Sequence, residues 1–375
     1  MATRTTTPSR TRRIRCGASG NGASPTPSFF TYKNLLQAYN DCKKRKTSSK
    51  ECLEFSYNLE ANLLSLQSEL LDRSYRPGRS IAFVVTKPKV REVFAAQFRD
   101  RVVHHLLYNY LSPIYEPRFI YDSFACRPGK GTHAAMKRVQ DFAYKASEGG
   151  RLSNCYYLQM DIKSFFTTID KAKLYEMIAR NIKRDEILWL TKLIIYHDPA
   201  RDVPPIMHSP KKLFDRLPSD KSLFSAPTGY GLPIGNLTSQ FFANVYLNDL
   251  DQYIKHRLKV KWYMRYVDDF VIIDRSEERL RQYEKQITEH VESIGIAIKH
   301  SKTILRRVSS GIDIVGYMIR PHYTLVRKRV VHQWRLAMER RVSRADREQS
   351  FKSYTGHALQ ADAYNLRQFM AEKYS

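Results

Sequence analysis

The chain of 375 residues is 42% hydrophobic and 12% aromatic, which is ordinary for a globular protein and excludes a mostly disordered chain. Its 63 Lys and Arg residues outnumber the 37 Asp and Glu residues. The formal net charge of +26 predicts a polyanionic partner, nucleic acid first and an anionic membrane surface second. Because the sequence has no apolar run of about 18 residues and no signal-peptide core near Met1, we expect a cytoplasmic protein without a membrane partner.

The first third of the sequence predicts a basic arm, helices and one strand. Residues 1–28 are rich in Ser, Thr and Pro and carry arginines but no acid, so they indicate a disordered arm that either touches a phosphate backbone or has no function. Apolar spacing from residue 29 to about 73 predicts two helices, separated by the polar stretch 43–50. Residues 81–85 are β-branched and predict a strand, and residues 100–115 predict a buried helix.

The remaining sequence predicts strands that end at acids, one long loop and a basic helical tail. Residues 156–160 form a short apolar strand, and residues 262–273 form two strands around a tight acidic turn. Residues 198–228 are Pro-rich and aperiodic, which predicts a surface loop beside them. Beyond Pro321 the sequence becomes helical and strongly basic.

Three aspartates form the most informative pattern. Asp268 and Asp269 fall at the predicted hairpin tip, and an Asp-Asp pair there is compatible with plain turn chemistry. Asp161, however, ends a second apolar strand. Carboxylates at the ends of buried strands are unfavourable unless they are paired or hold a cation. The three together therefore indicate a cation site.

Phosphoryl transfer to a 3′-hydroxyl is the chemistry that this pattern fits. It uses two hard cations about 4 Å apart, and Mg²⁺ takes few protein carboxylates. We predict two Mg²⁺ ions, with Mn²⁺ as a substitute, bridged by Asp161 and Asp268. The carbonyl of Ile162 would complete the triphosphate-side ion, and Asp269 would make a weaker contact. A non-catalytic RNA-binding protein would explain the charge equally well, but not the three strand-end aspartates.

Ordered sequence blocks resemble the palm of a reverse transcriptase. Tyr-Val-Asp-Asp at residues 266–269, Asp-Ile-Lys-Ser-Phe-Phe at 161–166 and Gly-Leu-Pro-Ile-Gly-Asn-Leu-Thr-Ser-Gln at 231–240 occur in that family's order. Four more blocks are similar to parts of that family. Residues 87–101 resemble the fingers, and residues 123–133 resemble a block of the group II intron-like enzymes. Residues 295–303 resemble the block after the catalytic hairpin, and residues 314–317 resemble the primer grip.

The resemblance implies an α+β, right-hand polymerase fold, with fingers and palm of antiparallel sheet plus helices and a helical thumb. The implied divisions are a basic arm at residues 1–28 and N-terminal helices with fingers at 29–155. They are followed by a palm at 156–320, with an insertion loop at 198–228, and by a thumb at 321–375. An RNA template, the cDNA/RNA duplex and dNTPs are the implied partners.

Within the family, the sequence is most similar to the reverse transcriptases of diversity-generating retroelements. The block from Ile234 to Gln240 has an aliphatic residue where relatives have glutamine, and the tail at 353–366 is also similar. This resemblance implies error-prone cDNA synthesis with a cognate structured RNA and a small accessory protein. Some phage-defence reverse transcriptases share these features. A defence enzyme working with a noncoding RNA is therefore the alternative.

Three cations are candidates for contacts with the triphosphate. Lys87 and Arg91 lie on the implied fingers hairpin, where positive charge would neutralise an incoming triphosphate. The alternative for both is a solvated strand edge. Lys302 matches the family's lysine after the catalytic hairpin, where it would protonate or neutralise the pyrophosphate leaving group. Its alternative is an ordinary surface lysine.

The resemblance also implies nucleotide-binding roles for four residues. Phe166 would lie under the incoming sugar and exclude a 2′-hydroxyl, which implies dNTP use, whereas Phe165 is the better candidate for the core. Ile234 cannot donate the hydrogen bond of the amide that it replaces, so discrimination should weaken. Gly235 would allow close backbone approach, and Gln240 closes this nucleotide-binding block.

Overall fold

The computed structural model describes residues 27–44, 47–87, 89–340 and 343–374. Nearly all of the predicted basic arm therefore lies outside the described residues. The helices are α1 (Tyr32–Lys43), α2 (Lys50–Tyr57), α3 (Leu59–Leu71), α4 (Phe98–Tyr115), α5 (Thr132–Ala146), α6 (Phe165–Thr168), α7 (Lys171–Ala179), α8 (Asp185–Tyr196), α9 (Lys211–Phe214), α10 (Leu237–Gln252), α11 (Glu277–Ser293), α12 (Lys328–Glu339), α13 (Arg344–Ala358) and α14 (Tyr364–Tyr374). The strands are β1 (Ile81–Val85), β2 (Arg91–Ala95), β3 (Tyr156–Asp161), β4 (Ile206–Met207), β5 (Trp262–Tyr266), β6 (Asp269–Asp274), β7 (Ile304–Arg307), β8 (Ile312–Ile314), β9 (Tyr317–Ile319) and β10 (Thr324–Val326).

The N-terminal helices number three, where the sequence predicted two. The Thr31 hydroxyl caps α1 by accepting from the backbone N–H of Asn34. Asn58 stands between α2 and α3 with φ −117° and ψ 45°, outside the helical region. The second predicted helix is therefore split, although its apolar residues still reach one core. Leu63, Leu66 and Leu70 are fully buried there.

Segment 198–228 is attached to the fingers sheet and is not the free surface loop that we predicted. Its strand β4 pairs in parallel with β1, so the sheet order is β2-β1-β4. Glu92 of β2 is buried and accepts hydrogen bonds from the Ser222 hydroxyl and the Leu223 N–H, both at 2.8 Å. On the other side, the Ser164 hydroxyl next to α6 donates to Asp220 at 2.6 Å. The segment thus connects the fingers strands to the palm.

The palm sheet has four antiparallel strands in the order β5-β6-β3-β7. Its strands alternate between two apolar faces. Leu158 and Phe270 belong to the large core that includes α10 and α11, whereas Tyr157 and Val271 pack in a second core with α5. Because both faces are covered, a polar side chain reaches the surface chiefly at the strand ends. The three aspartates stand at such an end.

The C-terminal region begins with a small antiparallel sheet in the order β10-β9-β8. Strand β10 precedes the helices that the sequence predicted past Pro321, so this region is not wholly helical. Helices α12 to α14 then enclose a separate core around Trp334, Met338 and Met370. The α+β class is confirmed. None of the helices in the described ranges is long and apolar enough to cross a membrane.

Candidate active site

The tight hairpin between β5 and β6 carries two of the candidate carboxylates. Its two turn residues are Val267 and Asp268, and Val267 has φ +57°, a left-handed conformation that is costly for a β-branched residue. The N–H of Ile162 donates to the Asp268 carbonyl at 3.2 Å. Asp269 is the register partner of Asp161 across β6 and β3. The structure therefore brings all three predicted aspartates together at one end of the palm sheet.

Burial and the neighbouring carboxylates raise the pKa values of Asp268 and Asp269. Burial, above all, raises the pKa of Asp269 to about 7, and the nearby charges of Asp161 and Asp268 act in the same direction. Burial also raises the pKa of Asp268, followed by the charge of Asp161. Such a cluster holds excess negative charge that a cation would offset.

Lys302 lies where the sequence predicted it. Its Nζ forms an ion pair with Asp161 Oδ2. The lysine ends a short 3₁₀ turn, His300–Lys302. That turn is held to the site because the N–H of Lys299 donates to the Asp161 carbonyl at 2.8 Å. The ammonium group therefore balances part of the carboxylate charge, and its role toward a leaving pyrophosphate stays a prediction.

The fingers hairpin directs positive charge at the same carboxylates. The guanidinium of Arg91 contributes to lowering the pKa of Asp268 against the effect of burial. Lys89, which the sequence reasoning missed, is close enough that Asp161 and Asp268 affect its pKa, which burial lowers. The predicted Lys87 is exposed on the same turn, and its contact with a triphosphate stays a prediction. The sequence shows three cations within five residues, Lys87, Lys89 and Arg91. It does not show which of them faces the carboxylates.

Arg265 is a second residue that sequence reasoning missed, and it supports the hairpin from inside. It is completely buried and pairs with Asp251 through two hydrogen bonds of 2.6 and 2.8 Å. Its Nη1 donates to the Val267 carbonyl at 2.9 Å and to Asn244 at 3.2 Å. The guanidinium thus fixes the strained turn. An arginine inside an otherwise apolar strand was the available signal.

Gln159 is the third such residue. Its Nε2 lies 3.0 and 3.3 Å from the two carboxylate oxygens of Asp269 and 3.2 Å from the carbonyl oxygen of Asp313. Within the described residues, its buried Oε1 has no hydrogen-bond partner. The amide therefore fixes Asp269 and connects it to β8. Its position two residues before Asp161, on the same strand face, was visible in the sequence.

The two phenylalanines after Asp161 differ in burial. Phe165 is only 2% exposed and belongs to the core, whereas Phe166 is half-buried. The backbone of Phe166 contacts the block at residues 231–240, because its carbonyl accepts from the N–H of Leu232 at 2.7 Å. Phe166 also packs against the large core and against the Phe165 ring, and its contact with a sugar stays a prediction.

The block from Ile234 to Gln240 lies against the fingers. The Ile234 carbonyl accepts from the N–H of Phe94 at 2.8 Å. Gly235 has φ +129°, and a Cβ there would lie 2.6 Å from the Phe94 carbonyl oxygen, so only glycine lets this block lie so close to β2. The role of Gly235 toward a nucleotide stays a prediction. Gln240 is exposed on α10, where its Oε1 accepts from the Cys126 thiol at 3.1 Å.

The donor chemistry of the site fits a hard divalent cation. In the residues that the structure describes, no group of three or more His, Cys, Asp or Glu side chains is placed so that it could hold a metal ion. Gln159 binds Asp269, and Lys302 pairs with Asp161. The clustered groups are nevertheless carboxylate oxygens, the ligands that Mg²⁺ prefers, and two of them have raised pKa values. Ile162 has a buried side chain, and coordination by its carbonyl stays a prediction.

A family model for reverse transcriptase (RNA-dependent DNA polymerase) matches residues 85–319. This chain belongs to the reverse transcriptase family. The matched region includes every residue that we singled out for catalysis, substrate or metal. Membership confirms the predicted right-hand polymerase fold and the enzyme class, RNA-directed DNA polymerase, and it supports an RNA template as the partner.

Individual relatives of this reverse transcriptase are distant. Protein YkfC of Escherichia coli strain K12 is 24% identical over 308 residues, which cover 72% of this chain and 73% of YkfC. The group II intron-encoded protein LtrA of Lactococcus lactis is 24% identical over 243 residues, 64% of this chain but only 35% of LtrA. Telomerase from Candida albicans, solved with a fragment of telomeric RNA, aligns with a TM-score of 0.47 and 11% identity, over 80% of this chain and 59% of that chain.

Proposed function

We propose that this reverse transcriptase makes cDNA by two-metal phosphoryl transfer at Asp161, Asp268 and Asp269. The observation that carries the proposal is the meeting of the three carboxylates on β3 and the β5–β6 hairpin, with the Lys302 ammonium already paired to one of them. Divalent cations, when bound, would activate the 3′-hydroxyl and stabilise the leaving pyrophosphate. Both Mg²⁺ and Mn²⁺ suit these oxygen ligands.

The residues around the carboxylates would each do part of this work. Asp161 and Asp268 would hold the cations, and Gln159 would keep Asp269 oriented toward them. Arg91, with Lys89, would bind the triphosphate from the fingers side, where both already lie near Asp268. The Lys302 ammonium would protonate or neutralise the pyrophosphate as it leaves.

Nucleotide selection would depend on Phe166 and Ile234. The partly accessible Phe166 ring next to Asp161 would exclude a 2′-hydroxyl, so we propose dNTP use. The Ile234 carbonyl is already bonded to the N–H of Phe94, and the aliphatic side chain of Ile234 can neither donate nor accept a hydrogen bond. A side chain that cannot hydrogen-bond should discriminate weakly between bases. We therefore propose error-prone copying at template adenines, and uniformly low error rates there would contradict it.

Primer extension on matched RNA and DNA templates, with dNTPs compared with rNTPs and followed by product sequencing, tests the function. We expect Mg²⁺-dependent extension on RNA with dNTPs. Asp268→Ala should abolish incorporation while RNA binding is kept. The matched control is Asp274→Ala, which removes a carboxylate from the far end of the same strand, β6. Absence of incorporation by the wild type, with RNA binding intact, would favour a non-catalytic RNA-binding protein.

The biological role that we propose is mutagenic cDNA synthesis for a diversity-generating retroelement, with a cognate structured RNA and a small accessory protein. Its support is the block from Ile234 to Gln240 and the tail at 353–366. A neighbouring template repeat and variable repeat in the genome, with an accessory gene, would agree with it. A neighbouring structured noncoding RNA without such repeats would instead indicate a defence enzyme.

A further inference from the structure

A groove of about 550 Å³ lies away from the carboxylates, between helix α8 and the linker that precedes β1. The α8 side of this groove is formed by Trp189, Lys192, Leu193 and Tyr196. Their spacing of three, one and three residues places all four on one helix face. The linker contributes Arg76. One wall therefore offers aromatic rings and a lysine, and the other offers an arginine.

The rings of the groove are more open than rings in a core. Tyr196 is 41% exposed, and Trp189 is half-buried. Trp189 also has one edge contact with Phe30, at 6.4 Å between ring centroids. A solvated helix face usually carries polar side chains at such positions. Two rings left open to water beside cations are instead typical of surfaces on which nucleic-acid bases stack.

The charges of the groove leave an excess of cations. Asp185 pairs with Arg73 nearby, whereas Asp202, an acid that lines the groove, is hydrogen-bonded to His197. Burial lowers the pKa of His197, so this histidine does not cancel the Asp202 charge. The two lining cations, Arg76 and Lys192, still outnumber that carboxylate. In the part of the chain that the structure describes, no carboxylate pairs with Lys192. Arg76 is oriented through its Nη1, which donates to the carbonyls of Arg73 and Tyr75 at 3.0 and 2.7 Å.

The Trp189 ring also contacts a cation. The guanidinium of Arg73, which pairs with Asp185, lies over this ring at 6.0 Å. A polyanion is therefore the partner that this surface complements, and the open rings favour one with unpaired bases.

The groove is separate from the proposed polymerase site. It lies at the start of β1, whereas the turn after the end of β1 carries Lys89, which faces Asp161 and Asp268. A strand of five residues spans about 16 Å at roughly 3.3 Å per residue. An RNA segment in the groove would thus lie well outside the site at which the cDNA grows.

We propose that this groove binds a single-stranded segment of the RNA partner. Bases stack on Trp189 and Tyr196, and phosphates pair with Arg76 and Lys192. The groove thereby holds RNA independently of the primer terminus, and this rests on the proposed function only in taking RNA as the partner. Stacking on an aromatic side chain contributes about 1–3 kcal/mol per base, so losing one ring should weaken binding roughly tenfold.

Tryptophan fluorescence of the full-length chain tests the groove directly. The chain has three tryptophans, and in a Trp262→Phe/Trp334→Phe background only Trp189 emits. We expect an unstructured oligouridine of about 15 nucleotides to quench this emission, and Lys192→Glu and Tyr196→Ala each to weaken that binding about tenfold. The matched controls are Lys285→Glu on α11 and Tyr57→Ala on α2, whose side chains are exposed elsewhere.

Two results would contradict the proposal that the groove binds single-stranded RNA. One is unchanged oligouridine affinity in the Lys192 and Tyr196 variants, or an equal loss in their controls. The other is equal quenching by duplex RNA, which has no unpaired bases to stack. Primer extension separates this inference from the proposed function. If the groove variants lose affinity for oligouridine but the wild type extends no primer, only the proposed polymerase function is contradicted. If the wild type extends primers normally and the groove variants keep their affinity, only the proposal that the groove binds RNA is contradicted.

Discussion

Two groups of buried charge meet at the β5–β6 hairpin, and their environments differ. Arg265 and Asp251 are both completely buried and satisfy each other through two hydrogen bonds. Asp161, Asp268 and Asp269 are three acids with one paired lysine, Lys302. The first group balances its charge within the protein. The second group balances its charge only in part. Burial and mutual repulsion therefore raise the pKa values of Asp268 and Asp269.

This difference separates a structural role from a chemical one. Burying a charge is costly, and a close partner with good geometry offsets the cost. Arg265 has such a partner and uses its remaining donors to hold the strained turn at Val267. The carboxylates retain negative charge that only an added cation would offset. Variants in the two groups should therefore fail in opposite ways, the first in stability and the second in activity.

The largest expected effect is loss of chemistry without loss of stability. Asp268→Asn removes a charge that its neighbours repel, so the metal-free protein should melt at the same or a higher temperature. Its incorporation rate should fall by about three orders of magnitude, because electrostatic stabilisation of phosphoryl transfer contributes several kcal/mol. Single-turnover extension and thermal denaturation measure the two effects. Near-normal incorporation would remove Asp268 from the site.

Arg265→Met should show the reverse behaviour. It leaves Asp251 buried and unpaired, so the free energy of unfolding should fall by about 3–5 kcal/mol. Denaturant titration measures this loss. The double variant Arg265→Met/Asp251→Leu removes both charges and should recover much of it. If the double variant were as unstable as the single one, packing of the long arginine stem would be the cause, and the contrast between the two groups would weaken.

The pH dependence of stability sharpens the contrast. The folded pKa of Asp269 is about 7, above the ordinary 3.8 of the unfolded chain. The folded state therefore keeps a proton that the unfolded state loses, and in the metal-free protein the free energy of unfolding should fall as pH rises from about 4 to 7. The slope for this group reaches about 1.4 kcal/mol per pH unit. Asp269→Asn should flatten the curve, whereas Asp274→Asn should keep it. An unchanged slope in Asp269→Asn would contradict the prediction.

The sequence predicted the strands and the meeting of the acids, because both depend on local patterns. Short apolar runs predicted β3 and the β5–β6 hairpin, and acids at the strand ends predicted the site. The supporting residues could not be predicted in this way. Arg265 binds Ser123, 142 positions away, and Gln159 reaches Asp313, 154 positions away. Such partners are known only once the strands are placed side by side.

The fold errors have the same origin. Strand β4 has only two residues and exists because it pairs with β1, 125 positions earlier in the chain. A stretch so short has no periodicity of its own, so segment 198–228 could be predicted only as a loop. The split between α2 and α3 depends on the backbone angles of Asn58, a residue that also occurs inside helices. Strand β4 thus depends on pairing with a distant strand, and the break between α2 and α3 depends on the backbone conformation of one residue.

Gln159 belongs to neither charged pair and gives the smallest predicted effect. It carries no charge, yet its amide holds the Asp269 carboxylate and the Asp313 carbonyl together. Gln159→Leu keeps the approximate volume and removes the donor, so Asp269 loses its orientation. We expect incorporation to fall about tenfold, the equivalent of one hydrogen bond to a charged group. Affinity for RNA should be unchanged.

The controls for Gln159 separate positioning from general damage. Gln37→Leu changes an exposed glutamine on α1 and should leave incorporation at the wild-type rate. Gln159→Glu removes the donor and adds a fourth carboxylate, so it should lose more activity than Gln159→Leu. The added negative charge should lower the Mg²⁺ concentration needed for half-maximal extension. If Gln159→Leu loses activity only in proportion to its folded fraction, the amide stabilises the sheet and does not orient Asp269.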